Sequence, residues 1–340
     1  MKNRLLSAGT SGQRRRGGGS AVKQRLVLLL LAAALCLCTG CASVIREDSV
    51  PESLPAIDPD AGLEKELTAS LYYRLNGGST LLPVKTTLRV RSTEYPELAA
   101  IRQLLKEPVS PSAAAALPKG VRLVDLSLES GILYVTFNRA FLSPSLPEAT
   151  TEELQLSRRL AVYAVVNTLT ELGSAARVQI LVDLDDQGKG TRVPAYLAGF
   201  DDANGGSRLL EPLRFEQSVL TTPESVTADM LCRLRDRDYA RAFSLFADLE
   251  PEDRQKPDYS LFEAALMELC TVTDWQITGS EIQSDGSCLV TLDLSFVDSE
   301  LRPCTVQGAQ LHLYYESGVY RPGYFSFIDI IRNGSKEQAS

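Results

Sequence analysis

Segments with a helical apolar period and segments that alternate every second residue follow one another along this chain without strict β-α succession, and that order most limits its fold. Residues 97–106 set Leu98, Ile101, Leu104 and Leu105 at helical spacing, and Pro108 with Pro111 marks the stop. A longer helix is predicted over 154–172, ended by Gly173. Strands are predicted over 69–75, closed by Asn76-Gly77-Gly78, and over 81–90. Residues 121–128 and 132–137 read as a hairpin around Ser130-Gly131. Residues 178–182 and 192–196 flank Asp185-Asp186-Gln187-Gly188 and predict another. Together these specify a two-layer α+β domain over residues 67–214.

A second domain is predicted over 222–332. Thr222-Pro223-Glu224-Ser225 is an N-cap with Pro at the first helical position. Val226, Met230, Leu231, Leu234, Tyr239, Phe243 and Phe246 form an apolar stripe broken near Arg237-Asp238, and 261–269 reads as another helix. Arg233, Arg235, Asp236, Arg237 and Asp238 read as a solvated helix face. Residues 275–281, 288–296, 304–315 and 318–327 then alternate as strands, and 333–340 reads as a disordered tail.

Ahead of both domains stands an export signal. Lys2, Arg4, Arg14, Arg15, Arg16, Lys23 and Arg25 precede an apolar run over 26–37, with no acidic residue among them. The run falls well short of the roughly 20 residues of a spanning helix, so it is expected to be a signal-peptide core within residues 1–40. Thr39-Gly40-Cys41 resembles the lipobox of bacterial lipoproteins, with Cys38 where Leu is usual, and implies lipidation of Cys41. An ordinary secretory signal cut after a small residue is the alternative. Two acyl chains on Cys41, at about 0.8 kcal/mol per CH₂, would anchor the chain on the extracytoplasmic face of the cell membrane. Residues 41–66, rich in Pro, Asp, Glu and Ser, read as a disordered tether.

With the seven leader cations set aside, 28 of the 35 Lys and Arg remain against 43 Asp and Glu, a formal balance of −15. That charge argues against nucleic acid as a partner. Four cysteines lie beyond the leader: Cys232, Cys270, Cys288 and Cys304. One or two disulfides, or four small buried thiols, both satisfy this number, and the wide spacing with no CxxC favours the thiols. With a single histidine, His312, a zinc site is not expected. Asp183-x-Asp185-x-Gln187-Gly188 begins like a calcium loop, but Pro194 stands where the bidentate Glu belongs. Gly188-Lys189-Gly190 lacks the glycine spacing and following helix of a phosphate loop. No cofactor is expected.

Leu71-Tyr72-Tyr73, and Ile101 with Leu104-Leu105-Lys106-Glu107-Pro108, resemble the opening strand and the helix-end signature of the GerMN family of sporulation and spore germination, with Glu107 where Gly is common. Leu117-Pro118-Lys119-Gly120-Val121 is similar to its turn before the hairpin. Residues 165–172, and 178–182 with Asp183, complete the order; Thr136 and Asn138 occupy positions often held by Asp and Ser. The resemblance implies a two-layer α/β sandwich with a scaffold or assembly role, similar to the ring-building modules of secretion machines. Helices before a four-strand antiparallel sheet, with Leu234-x-x-x-Asp238-Tyr239-x-x-Ala242-Phe243, resemble the cystatin-like cone of the nuclear transport factor 2 superfamily. That resemblance implies a curved sheet whose concave side can hold a ligand or form a dimer face.

No nucleophile, base and orienting group can be named together, so an enzyme is not expected. His312 shares a strand face with Gln310 and Tyr314, and a polar pocket with Tyr239 or Asp293, near Trp275, is the one chemical constellation available; a solvated or hydrogen-bonded His is the plainer reading. The expected function is a membrane-anchored, non-enzymatic module that binds envelope or sporulation proteins. The alternative is a lipoprotein that holds a small molecule in the C-terminal cone.

Overall fold

The computed structural model describes residues 63–144, 149–200, 206 and 208–339. The predicted leader, Cys41 and all but the last residues of the predicted tether lie outside the described residues. Residues 64–66 are strand, not tether: β1 (Glu64–Leu75) pairs with β2 (Leu81–Arg91) from Glu64 opposite Arg91 onward. A backbone ladder needs no apolar side chains, so the charged start of β1 carries no sequence signal of its pairing. The short β3 (Ala113–Ala114) pairs with the other edge of β1 only at Arg74 and Leu75.

α1 (Pro96–Leu104) starts with Pro in its first turn and buries Ala100, Ile101 and Leu104. β4 (Leu123–Glu129) and β5 (Ile132–Asn138) turn through Ser130 and Gly131, both at positive φ, 50° and 74°. α2 (Thr151–Glu171) opens with a capping box in which Thr150 Oγ1 accepts from the Glu153 amide at 3.2 Å and the Glu153 carboxylate accepts from the Thr150 amide at 3.0 Å. It is the crossover that brings β6 (Arg177–Asp183) parallel to β5. The sandwich buries Leu71, Phe137, Leu160, Val165, Leu169 and Ile180 between these helices and strands.

Two boundaries differ from the sequence reading. Residues 192–196 form no strand; Thr191 and Pro194 make isolated bridges to Val182 and Leu209, and a 3₁₀ turn covers Ala195–Ala198. Pro194 has no N–H for a ladder, and Asp183 curls the preceding loop by accepting from the amides of Gln187 at 3.1 Å and Gly188 at 2.8 Å. The domain also runs beyond residue 214. Leu213 bridges to Val178, and the Asn167 amide clamps the Glu216 backbone with two 2.9 Å hydrogen bonds.

The C-terminal part begins with α3 (Pro223–Arg235), capped reciprocally by Thr222 and Ser225. α4 (Tyr239–Leu245) and α5 (Tyr259–Leu269) are capped by Asp238 and Asp258, with the two-residue strands β7 (Leu249–Glu250) and β8 (Arg254–Gln255) between them. β9 (Cys270–Ile282), β10 (Cys288–Asp298), β11 (Pro303–Glu316) and β12 (Val319–Pro322) form an antiparallel meander in the order β12-β11-β10-β9. The last strand predicted over 318–327 stops at Pro322, and α6 (Tyr324–Ala339) replaces both its end and the predicted tail. Phe327, Ile328 and Ile331 lie at helical spacing and are buried in the sheet's core. All four cysteines are free thiols; Cys270, Cys288 and Cys304 are buried and Cys232 half-buried. Among the described residues, no helix is long and apolar enough to cross a membrane.

Candidate functional site

A groove of about 1260 Å³ opens in the N-terminal part of the described residues. Leu67, Thr68, Ala69 and Ser70 of β1 form one wall and Leu126, Ser127 and Leu128 of β4 the other. The start of α1 at Tyr95, Pro96 and Glu97 and the end of α2 at Thr168, Glu171 and Leu172 close it above and below. Consecutive residues of a strand point to alternate faces, so a wall made of consecutive residues is the strand's edge, not its face. Among the described residues neither edge is paired along the groove: β3 meets β1 only at its far end, and nothing pairs with the outer edge of β4.

The groove floor is fixed by hydrogen bonds from β1 to α2. The Tyr72 amide donates to Thr168 Oγ1 at 3.1 Å, and the Tyr72 hydroxyl donates to the Glu171 carboxylate. Burial and then the Glu171 acceptor push the Tyr72 phenol well above its ordinary range. Tyr73, whose hydroxyl donates to the Gln103 carbonyl at 3.0 Å, is pushed up to about 12 by burial. Neither phenol can serve as a base near neutral pH. Tyr72 holds the floor through Thr168 and Glu171.

The C-terminal residues proposed from sequence do not come together. His312 and Tyr314, with Gln310, line a cleft of about 680 Å³ along α6, where the His312 amide donates to Ser326 Oγ at 3.0 Å. Trp275 pairs with buried Leu294 and so lies on the opposite, helix-packed face, with the Arg235 guanidinium 5.3 Å above its ring. Tyr239 starts α4 in the helical layer. Asp293 is occupied in accepting from the Gly308 amide at 2.7 Å beside a β-bulge. His312, Tyr314, Trp275 and Tyr239 therefore build no single pocket. Among the described residues, no group of three or more His, Cys, Asp or Glu is placed to hold a metal ion.

The charged face of α3 has a role that its sequence did not suggest. Arg233 is not solvated: its Nε donates to the Gly77 carbonyl at 3.3 Å and its guanidinium lies near Glu153 and Asp238. Asp229, buried, accepts from the Ser79 amide at 2.8 Å and from the Ser79 hydroxyl at 2.5 Å. Leu75 and Leu82, at the tip of the β1-β2 hairpin, belong to the C-terminal core rather than to their own. The tip of this hairpin is thus part of the C-terminal core.

Residues 70–183 match the family model described as Germane, sporulation and spore germination. That segment is similar to a Germane domain. Every lining residue of the groove except 67–69 lies within the matched segment. No curated protein matches the chain. Among solved structures, the tandem GerMN domains of the sporulation protein GerM from Bacillus subtilis align over 50% of this chain and 51% of theirs, at 20% identity and a TM-score of 0.31. The chain thus spans about half the length of that structure. The first GerMN domain of the same protein aligns over 44% of this chain and 97% of its own, at 19% identity and a TM-score of 0.28.

Proposed function

We propose that this chain is an extracytoplasmic lipoprotein, anchored through lipid on Cys41, that works without catalysis by binding other envelope proteins in sporulation, spore germination or envelope assembly. The observation that carries the reading is the Germane match over residues 70–183, together with the strand edges of β1 and β4 at its groove, unpaired among the described residues. The basic leader, short apolar core and lipobox-like Thr39-Gly40-Cys41 support the anchor. In this reading residues 222–339 are a nuclear transport factor 2-like module, which supports and orients the Germane domain through Asp229 and Arg233. The charged lining of the cleft beside His312, with Glu252, Arg254, Asp285 and Asp329, disfavours the alternative of an apolar ligand held in the C-terminal cone.

Mass spectrometry of the mature N-terminus, with membrane fractionation of the wild type and Cys41→Ala, tests the anchor. Acyl chains on Cys41 and release of the variant into the soluble fraction are expected. An unmodified N-terminus on a soluble wild-type protein would remove the anchored reading.

A further inference from the structure

We propose that the groove between β1 and β4 takes up one extended segment of a partner protein, which adds as a strand between the two uncovered edges. The inference deepens the protein-binding reading above and rests on it.

The backbone geometry points at the groove from both sides. The Tyr72 amide is turned away from β2, toward α2 and the groove, as its bond to Thr168 shows. In an antiparallel ladder the free N–H and C=O groups alternate, so Ser70 and Thr68 turn theirs the same way. On β4 the two-residue turn makes Glu129 and Ile132 the closing hydrogen-bonded pair. Leu128 and Leu126 then fall in the alternate pairs opposite Leu133 and Val135, with their amides and carbonyls directed outward. Four residues on two facing strands therefore present unused main-chain donors and acceptors to one groove.

The complement of such a surface is itself main chain. A strand inserted there gains ladder bonds on both flanks, the mode by which sheet edges capture extended peptides. Its alternate side chains would meet an apolar lining at Leu67, Leu126, Leu133 and Leu172 or point out past Lys85 and Ser127. A second folded copy is a poorer occupant, because a sheet edge carrying its own neighbours does not fit between two edges. A single extended chain does.

Leu128 supplies the test. Its side chain is 53% exposed and its amide faces away from β5, so Leu128→Pro removes an outward donor without breaking the β4-β5 ladder. Leu128→Thr changes the side chain and keeps the donor. The probe is a randomised octapeptide library in which apolar and polar positions alternate, offered to the full chain, with backbone hydrogen exchange as a second readout that needs no variant. Enriched peptides are expected to slow exchange at Thr68, Ser70, Leu126 and Leu128. Leu128→Pro should weaken them by about tenfold or more, against a change of about twofold or less for Leu128→Thr. The proposal is overturned if no peptide is enriched, if those amides stay unprotected, or if Leu128→Pro binds as the wild type does. Protection that appears without peptide and grows with protein concentration would also overturn it, in favour of a second copy. No peptide binding by the wild-type chain, with an envelope crosslink still formed, would sink the groove alone. Absence of both from the wild-type chain would take the assembly reading with it.

Discussion

Leu75→Ala places a cavity in a core that its own strand does not belong to. Leu75 is 1% exposed and packs with the C-terminal cluster of Met230, Phe246 and Leu313 rather than with the sandwich. Truncating a fully buried Leu costs 2–5 kcal/mol, and with close packing on every side about 3 kcal/mol is expected here. At a urea slope of about 2 kcal/mol/M, that lowers the unfolding midpoint by about 1.5 M. Trp275 is the sole tryptophan and sits in the C-terminal part under Arg235, so its fluorescence reads the second core alone. Leu104→Ala, confined to the first core, is the control, followed by far-UV circular dichroism. The Trp275 transition should move for Leu75→Ala even though residue 75 lies on β1, within the segment that matches the Germane model. A Trp275 midpoint unchanged by Leu75→Ala would refute the shared core.

The same joint gives three shorter predictions. Burial holds the Asp229 carboxyl above its ordinary value, so its contribution to stability is greatest at low pH and is lost as pH rises through the folded-state pKa; Asp229→Asn should therefore gain on the wild type in urea midpoints as pH is raised above the ordinary carboxylate range, whereas Asp229→Ala, which strands the Ser79 donors, should cost about 2 kcal/mol. Gly77 has φ +78° and a Cβ there would lie 2.7 Å from the Arg241 carbonyl, so Gly77→Ala should cost about 2 kcal/mol by thermal unfolding. Among the four C-terminal thiols, half-buried Cys232 should react first with iodoacetamide, and Cys270, which burial pushes up to about 12, only on unfolding; mass mapping of the labelled peptides checks the order.

Local order was legible where one segment decides its own structure. Thr150 with Glu153 and Thr222 with Ser225 place the starts of α2 and α3, and Ser130-Gly131 places a turn. What a distant partner decides was not legible. Alternation at 132–137 and 178–182 has no sign for direction, so the parallel pairing of β5 with β6 could not be told from a hairpin. Tyr324 to Phe327 alternates loosely enough to pass for strand, but Pro322 and Gly323 end the sheet. Arg233 looked like one charge on a solvated face because the Gly77 carbonyl it meets lies 156 residues away. The groove itself was invisible for a related reason: it consists of strand edges that nothing pairs with, and a missing neighbour leaves no mark on the residues that lack it.

The most direct measurement is photocrosslinking in intact cells, with a photoreactive residue in place of Tyr95, which is 73% exposed at the groove's rim. Performed on the full chain with and without Cys41→Ala, it reads contact and anchoring together. A discrete adduct with one envelope protein, diminished when Cys41 is replaced, is the predicted result. No discrete adduct from the wild-type chain, in sporulating or growing cells, would contradict a protein-binding role.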